Sequence, residues 1–325
     1  MAPLSNVTDP SFRRIIAKYG KPDVLFTEFV SAAGLVRSES RQRLLIDLIY
    51  DESERPIVAQ LFGADPQEMY EGVHIIKGLG FDGVDINMGC PDRAVVKQGC
   101  GSGLIDRPEL AQQIIKAAKK AADEPSDGSV KSAVRPFGVS IKTRIGGNKE
   151  CLDSWLPYLL EMEPDALTLH LRTRKEQSLV PAHWTEEVIG KAVDIVKRKF
   201  RGKSLILGNG DVKDIQEARE KVDRWGIDGV MLGRAIYGNP WLFKEYCATP
   251  QQKISVLLEH TKLYQEILST HKSMAYMKKH YKAYVTGFEE CSQYRMKMMN
   301  SESMEELEQI ADEVIQMLDS KNSAG

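Results

Sequence analysis

The sequence predicts an α/β fold: a (β/α)8 barrel of the TIM type followed by a small all-α C-terminal domain. Three observations carry this expectation. Seven short runs rich in apolar and β-branched residues alternate with stretches of 3.6-residue periodicity, the pattern of repeated βα units on a parallel sheet. The chain opens with Ala2-Pro3-Leu4-Ser5-Asn6-Val7-Thr8-Asp9, which reads as the C-terminal end of one further strand entering a helix cap, so the first strand is expected to be truncated or very short. Glycine-bearing turns follow the last two runs, where barrels of this class carry phosphate loops, and this favours the barrel over an open doubly wound sheet.

In chain order, strands are expected at Val24–Val30, Pro56–Phe62, Gly83–Met88, Phe137–Thr143, Asp165–Leu171, Lys203–Gly208 and Asp228–Gly233. Helical periodicity marks Pro66–Leu79, Pro108–Ala122, Leu152–Glu163, Trp184–Phe200 and Val212–Trp225. The Asp65-Pro66 and Arg107-Pro108 pairs suit helix starts, where proline sits in a first turn without losing a hydrogen bond. The polar, Ser-rich stretch Glu124–Arg135 reads as a surface insertion. After Tyr246 the strand signal ends, and Gln251–Leu268, Met274–Val285 and Met304–Leu318 read as helices. The expected division is therefore residues 1–246 and 247–325.

The 325 residues are 42% apolar and 28% charged, which suits a folded chain with a sizeable core and excludes a disordered or collagen-like one. No window approaches the roughly 18 apolar residues of a membrane span, and no basic-then-apolar leader opens the chain, so no membrane association and a cytoplasmic location are expected. Five cysteines at irregular spacing, with no CxxC pair, suggest neither a disulfide framework nor a metal site. A net charge of −2 excludes an overall basic nucleic-acid binder. One local patch is basic: Lys272, Lys278, Lys279, Lys282, Arg295 and Lys297 stand against only Glu289 and Glu290. Beyond it, the acidic segment from Ser301 onward reads as a solvated helix and tail.

Strand ends hold the active site of such a barrel, and here they are consistently polar. The groups are Gln60, Asn87-Met88-Gly89-Cys90-Pro91, Lys142-Thr143-Arg144, His170-Leu171-Arg172-Thr173-Arg174, Gly208-Asn209-Gly210-Asp211 and Gly233-Arg234. In the last two, glycine lets backbone N–H groups approach a phosphate, and the helix that follows Asp211 adds positive potential; a hairpin turn, the other reading of Asn209-Gly210, would need a strand on both sides. Lys142, His170 and Gln60 together suit an anionic conjugated ring, although alone a His or Lys is as readily structural. Arg172 and Arg174 are either tethers to a second anion or surface charges. Cys90, between Gly89 and Pro91 just past a strand, is either a thiol presented at the mouth, able to donate a proton, or a small buried hydrophobe. Cys100, in the glycine-rich Gly99–Gly103 stretch, reads as incidental to a close-packed loop.

In this order the motifs resemble the tRNA-dihydrouridine synthases. Ala2–Asp9, Ala59-Gln60-Leu61-Phe62-Gly63, Asn87–Pro91 with the Gly99–Gly103 loop, Lys142–Gly146, His170–Arg174, Gly208–Asp211, Gly233-Arg234-Ala235 and Met277-Lys278-Lys279-His280 carry the resemblance across nearly the whole chain. It implies an FMN-dependent reductase acting on tRNA uridines, with NADPH (or NADH) as electron source: flavin hydride goes to uracil C6 and a proton from Cys90 to C5. It implies that Gln60, Lys142 and His170 hold the flavin ring, that Pro3, Leu4 and Ser5 lie along it, and that Asn209, Gly210, Asp211, Gly233 and Arg234 hold its phosphate. Asn87, Arg172, Arg174, Lys278 and Lys279 would then meet the tRNA, with residues 1–246 as catalytic domain and 247–325 as tRNA-binding domain. No stable protein partner is implied. Two positions depart from the family pattern: Leu171 stands where Gly is usual, and His183 where an Asp before Trp is common. A flavin barrel acting on a small free molecule and a non-catalytic RNA-binding barrel are the competing readings.

Overall fold

The computed structural model describes residues 1–125 and 136–323, so the expected insertion lies, from position 126 on, outside the described residues. The chain forms two compact units. One gathers Met1–Ser5, Val24–Leu48 and Arg55–Gly233; the other gathers Asn6–Asp23, Ile49–Glu54 and the described residues from Arg234 onward. The division falls at 233/234 rather than 246/247, and two N-terminal segments join the helical unit. Contacts within that unit explain why: Lys18 and Tyr19 donate to the Glu259 carboxylate, and Phe12 packs on His260 and His280. A buried ion pair then joins the two segments. Arg13 donates from Nε to Glu54 Oε2 at 2.7 Å, and to the carbonyls of Thr8 and Ile49, so segments 6–23 and 49–54 are fastened to each other where neither charge meets water.

The first unit is a TIM barrel. Seven parallel strands follow in sequence order: β1 (Leu25–Ser31), β2 (Ile57–Phe62), β3 (Gly83–Met88), β4 (Gly138–Arg144), β5 (Ala166–His170), β6 (Leu205–Asn209) and β7 (Gly229–Met231). Each falls within the run expected for it, apart from one residue at the end of β1, β4 and β6. The anticipated first strand makes no ladder. Residues 1–2 instead take its place: Ala2 N–H donates to Leu232 O at 2.7 Å, the Met1 ammonium donates to Val24 O at 2.8 Å, and Ala2 packs with Phe26 and Met231.

Alternate residues of a strand face opposite ways. Leu61, Val84, Ile86, Ile141, Leu167, Leu169 and Ile206 form the outward, fully buried set; a Cβ on Gly72 of the helix Pro66–Gly78 would meet Leu61 Cδ1 at 3.3 Å. The inward set includes the polar residues Gln60, Asp85, Asn87, Ser140, Lys142, Thr168, His170 and Asn209, together with Val58, Leu207 and Met231. Barrels of this class usually fill that interior with branched apolar layers. Here the main core lies between sheet and helices; the interior holds a small apolar group, Ala2, Phe26 and Met231 with Val24 and Val58, and many hydrogen-bonding groups.

Asp65 caps the helix Pro66–Gly78 by accepting from Gln67 N and Glu68 N, as its sequence suggests. The stretch expected as one helix from Trp184 is helical from Glu186 to Lys199, with two wide π-type segments flanking Lys191–Val193. The short helices Ala32–Val36, Ser38–Leu45 and Arg93–Lys97 are too brief to show a period.

The second unit contains helices Pro10–Gly20, Pro250–Leu268, Ala275–Tyr284, Cys291–Asn300 and Met304–Ser323. Thr249 and Gln252 form a capping box at the second of these. Cys291–Asn300 escaped sequence reading because only Tyr294 and Met298 of its ten residues are buried, too few for an apolar stripe. His260, His280, Phe12, Tyr237 and Tyr284 form a ring cluster, with Phe12 and His280 centroids 4.9 Å apart and the two imidazoles also 4.9 Å apart. Among the described residues no helix is long and apolar enough to cross a membrane.

Candidate active site at the strand ends

Cys90 sits one residue beyond the turn that ends β3. Asn87 Oδ1 accepts from Gly89 N at 3.1 Å and Cys90 N at 2.9 Å, fixing that turn, and Arg144 Nε holds Gly89 O at 2.7 Å. From the other side, Ser102 donates from both N and Oγ to Cys90 O, at 3.0 and 2.8 Å. Gly101 makes this approach feasible: its φ is +56°, and a Cβ there would stand 2.8 Å from Cys90 O. The glycine-rich segment is a close-packing loop as expected, with Cys100 buried in it. Cys90 itself is half-buried. Burial pushes its thiol up; the Asp92 N–H and the Arg144 and Lys142 cations pull the other way but do not prevail. The thiol therefore keeps its proton at neutral pH, the state a proton donor needs.

Gln60, Asp85 and Asn87 lie beneath this turn. Gln60 Nε2 donates to Asp85 Oδ2 at 2.6 Å, Ser140 Oγ donates to Asp85 Oδ1 at 2.6 Å, and Asn87 Nδ2 donates to Gln60 Oε1 at 2.9 Å. Burial raises Asp85 to about 6 against the pull of these bonds.

Lys142 projects from β4 toward β6, where its ammonium donates to Asn209 Oδ1 at 3.2 Å; Asn209 Nδ2 in turn donates to Met231 O at 2.7 Å. Burial lowers Lys142 to about 8. Among the described residues no carboxylate lies within ion-pair distance of it, so a half-buried cation is left with a neutral partner, which is a place for an anionic group. The Asn209 side chain consequently faces the barrel interior, and only its backbone belongs to the turn.

His170 ends β5, and Arg172 Nη1 lies 3.2 Å from its Nε2. Because guanidinium only donates, Nε2 is the acceptor and the ring proton sits on Nδ1. Arg172 is 2% exposed, with Nε on Val180 O at 2.6 Å and Nη2 paired with Asp211. The Arg172 guanidinium is thus held by protein groups and orients His170. Asp211 also accepts from Ala182 N at 2.9 Å, so its carboxylate is spent on the protein and only its backbone faces a phosphate role. Arg174 holds Asp106 at 2.6 Å and Ser102 O at 3.0 Å.

Gly210 has φ +130°, and a Cβ there would come within 2.7 Å of Ala182 Cβ. Trp184 Nε1 donates to Gly210 O at 2.7 Å, and the indole covers β6 so closely that a Cβ on Gly208 would strike it at 2.3 Å. At Gly233, by contrast, a Cβ would make only ordinary contacts, 3.6 Å from Ala2 Cβ and 3.8 Å from Leu4 Cδ2. Pro3 and Leu4 are partly exposed and Ser5 exposed in the same unit. His183 pairs with Glu176 at 2.9 Å.

Arg234, Lys278 and Lys279 belong to the helical unit. Lys278 Nζ donates to Met299 O and Ser301 O, both at 2.8 Å, closing the end of the helix Cys291–Asn300; Lys279 is exposed, over the Tyr276 ring at 4.6 Å. Of the residues that sequence reading passed over, Asp85 and Ser140 are the most consequential. The signal was available in the strand Gly83-Val84-Asp85-Ile86-Asn87, where polar residues alternate with apolar ones.

The dihydrouridine synthase family model matches residues 1–321. Probable tRNA-dihydrouridine synthase of Staphylococcus aureus (strain COL) is 33% identical over 323 residues, 98% of this chain and 93% of its own length. Probable tRNA-dihydrouridine synthase 2 of Bacillus subtilis (strain 168) is 33% identical over 318 residues, 96% and 92% of the two chains. Among solved structures, 2-naphthoyl-CoA reductase in complex with 2-naphthoyl-CoA superposes with a TM-score of 0.52 at 13% identity, over 75% of this chain and 49% of the other, a likeness of fold alone. With the Cys90 loop, the polar barrel interior and the strand-end glycines already in place, a match of this extent means that the chain belongs to the dihydrouridine synthase family.

Proposed function

We propose that this enzyme reduces the C5=C6 bond of uracil in specific tRNA uridines to dihydrouridine, with FMN as resident cofactor and NADPH, or NADH, as reductant. One observation carries the reading: a protonated thiol and a half-buried ammonium that, among the described residues, bonds a neutral amide and no carboxylate share the strand-end rim of one barrel. Such an ammonium suits an anionic ring, and the donor set suits FMN in kind. Lys142, Gln60 and His170 would hold the ring region, with Pro3, Leu4 and Ser5 along it. The backbone of Asn209, Gly210 and Asp211, with Gly233 and Arg234, would hold the phosphate. When bound, FMN supplies the hydride for uracil C6. Cys90 holds the proton for C5, Asn87 keeps the thiol's turn in place beside the base, and His170 presents an Nδ1 proton fixed by Arg172.

A uracil stacked in RNA cannot enter a barrel mouth, so the base must be extruded, and the RNA backbone needs cationic partners. Arg174 on the barrel and Lys279 on the helices serve that role; Lys278, engaged with two carbonyls, contributes mainly by holding its helix. We assign catalysis to the barrel within residues 1–246 and tRNA binding to the helices within 247–325, and place the reaction in the cytoplasm. The purified protein should be yellow or become so with FMN, and Cys90→Ala should keep the flavin while losing about 10²- to 10⁴-fold in dihydrouridine formation, measured by mass spectrometry of tRNA. Protein that takes up no FMN, or a variant with unchanged turnover, overturns the reading.

A further inference from the structure

The hydrogen bonds beneath Cys90 run in one direction. A carboxylate can only accept, and two backbone N–H groups can only donate. Between these fixed ends, Gln60 must turn Nε2 toward Asp85 and Oε1 toward Asn87, and Asn87 must turn Nδ2 toward Gln60 and Oδ1 toward Gly89 and Cys90. All three side chains are buried, Gln60 and Asp85 fully and Asn87 to 6% exposed, so a reversed amide finds no water to repair the mismatch. The strand register sets Gln60, Asp85 and Ser140 side by side on β2, β3 and β4, which is why one carboxylate reaches both neighbours.

We propose that Asp85 is the positioning residue that sets the sense of this amide relay and thereby holds the Cys90 turn. It touches neither substrate nor cofactor; it acts through Gln60 and Asn87. Its bearing on catalysis rests on the function proposed above, whereas its bearing on the Cys90 turn does not. Asp85→Asn preserves the relay, because the amide oxygen still accepts from Gln60 while the Ser140 hydroxyl rotates to accept from the amide nitrogen. Asp85→Ala removes the acceptor. Asn87→Asp places a second acceptor-only group at the far end, so that Gln60 faces carboxylates on both sides with one amide oxygen misdirected. In the double variant Asp85→Asn/Asn87→Asp the relay reverses intact: the introduced amide donates to Gln60 Oε1, and Gln60 Nε2 donates to the introduced carboxylate, which still accepts from Gly89 and Cys90.

The test is the alkylation rate of Cys90 by iodoacetamide in the full-length protein, followed by peptide mass spectrometry, with dihydrouridine formation measured in parallel. Asp85→Ala and Asn87→Asp should each speed alkylation by about tenfold, the size expected when one buried group loses its partner. Asp85→Asn should stay within about twofold of the parent, and the double variant should return most of the way from Asn87→Asp. Asp85→Asn reacting as fast as Asp85→Ala would assign the effect to charge and sink the proposal, as would a double variant no slower than Asn87→Asp. Should Asp85→Ala fail to fold, the comparison of Asn87→Asp with the double variant decides alone. Slowed alkylation in the rescue with no dihydrouridine formed by the parent enzyme would overturn the proposed function and leave the relay standing.

Discussion

Gln60, Asp85 and Asn87 in the barrel are buried, as are His260 and His280 in the helical unit, yet the first three form an unbroken relay while three of the four imidazole nitrogens have no hydrogen-bond partner. Adjacent parallel strands set Gln60 level with Asp85, with Asn87 two residues farther along the same face of β3, so donors meet acceptors. The histidines come from separate helices and are enclosed by Phe12, Tyr237 and Tyr284. Packing of rings is satisfied there, and only His260 Nδ1 finds a partner, Tyr284 Oη at 3.3 Å. Polarity buried for placement is thus matched bond by bond in one region, and in the other its burden falls on stability.

The largest expected difference between the regions is acid sensitivity. Burial lowers His280 to about 4, with Asp9 favouring and Lys279 opposing its protonation, and burial with the neighbouring His280 charge lowers His260 as well. Since the folded pKa lies below the unfolded 6.5, the unfolded chain binds the proton first. Stability is therefore fully present above pH 6.5 and declines as pH falls toward 4, by about 3 kcal/mol for His280 alone. Urea midpoints at pH 7 and pH 4.5 should show the loss, and His280→Leu should flatten it; an unchanged pH dependence in that variant would remove the histidine as cause.

Next in size is the converse substitution in the barrel. Gln60→Leu strands both Asp85 and Asn87 and should cost about 2 kcal/mol in denaturant unfolding at pH 7, whereas His280→Leu at the same pH should cost less than that or stabilise. Equal losses would erase the distinction between the two regions. Smallest is the contrast between neighbouring lysines. Lys278→Ala should cost about 0.5–1 kcal/mol by uncapping the helix Cys291–Asn300, while Lys279→Ala should leave stability alone and reduce the salt slope of tRNA binding by about one.

Much of the barrel was legible in the sequence, since strand position follows from local apolar runs and the Asn87–Pro91 loop announces itself by composition. What escaped depends on contacts between distant positions. Arg13 and Glu54 are 41 residues apart, and no local pattern says that they fasten two N-terminal segments together, or that Phe12 and Lys18 meet the helix Pro250–Leu268. Arg172 reads from sequence as either a tether or a surface charge, and only the fold shows that Asp211 and Val180 O hold its buried guanidinium. Asn209 lies in a glycine turn yet sends its side chain inward, because strand alternation governs it up to the last residue of β6.

Trp184 spans pieces of chain that are separate in sequence. Its indole lies on Gly208, bonds Gly210 O, and carries the Lys221 ammonium 4.5 Å above its face. A single ring therefore acts as a rivet through the loop after β5, the turn after β6 and the helix Ile215–Trp225. Anyone transplanting the Gly208–Asp211 turn into another scaffold would have to carry the tryptophan with it, and in a variant with Trp155, Trp225 and Trp241 replaced by Phe its fluorescence would gauge whether that turn is in place.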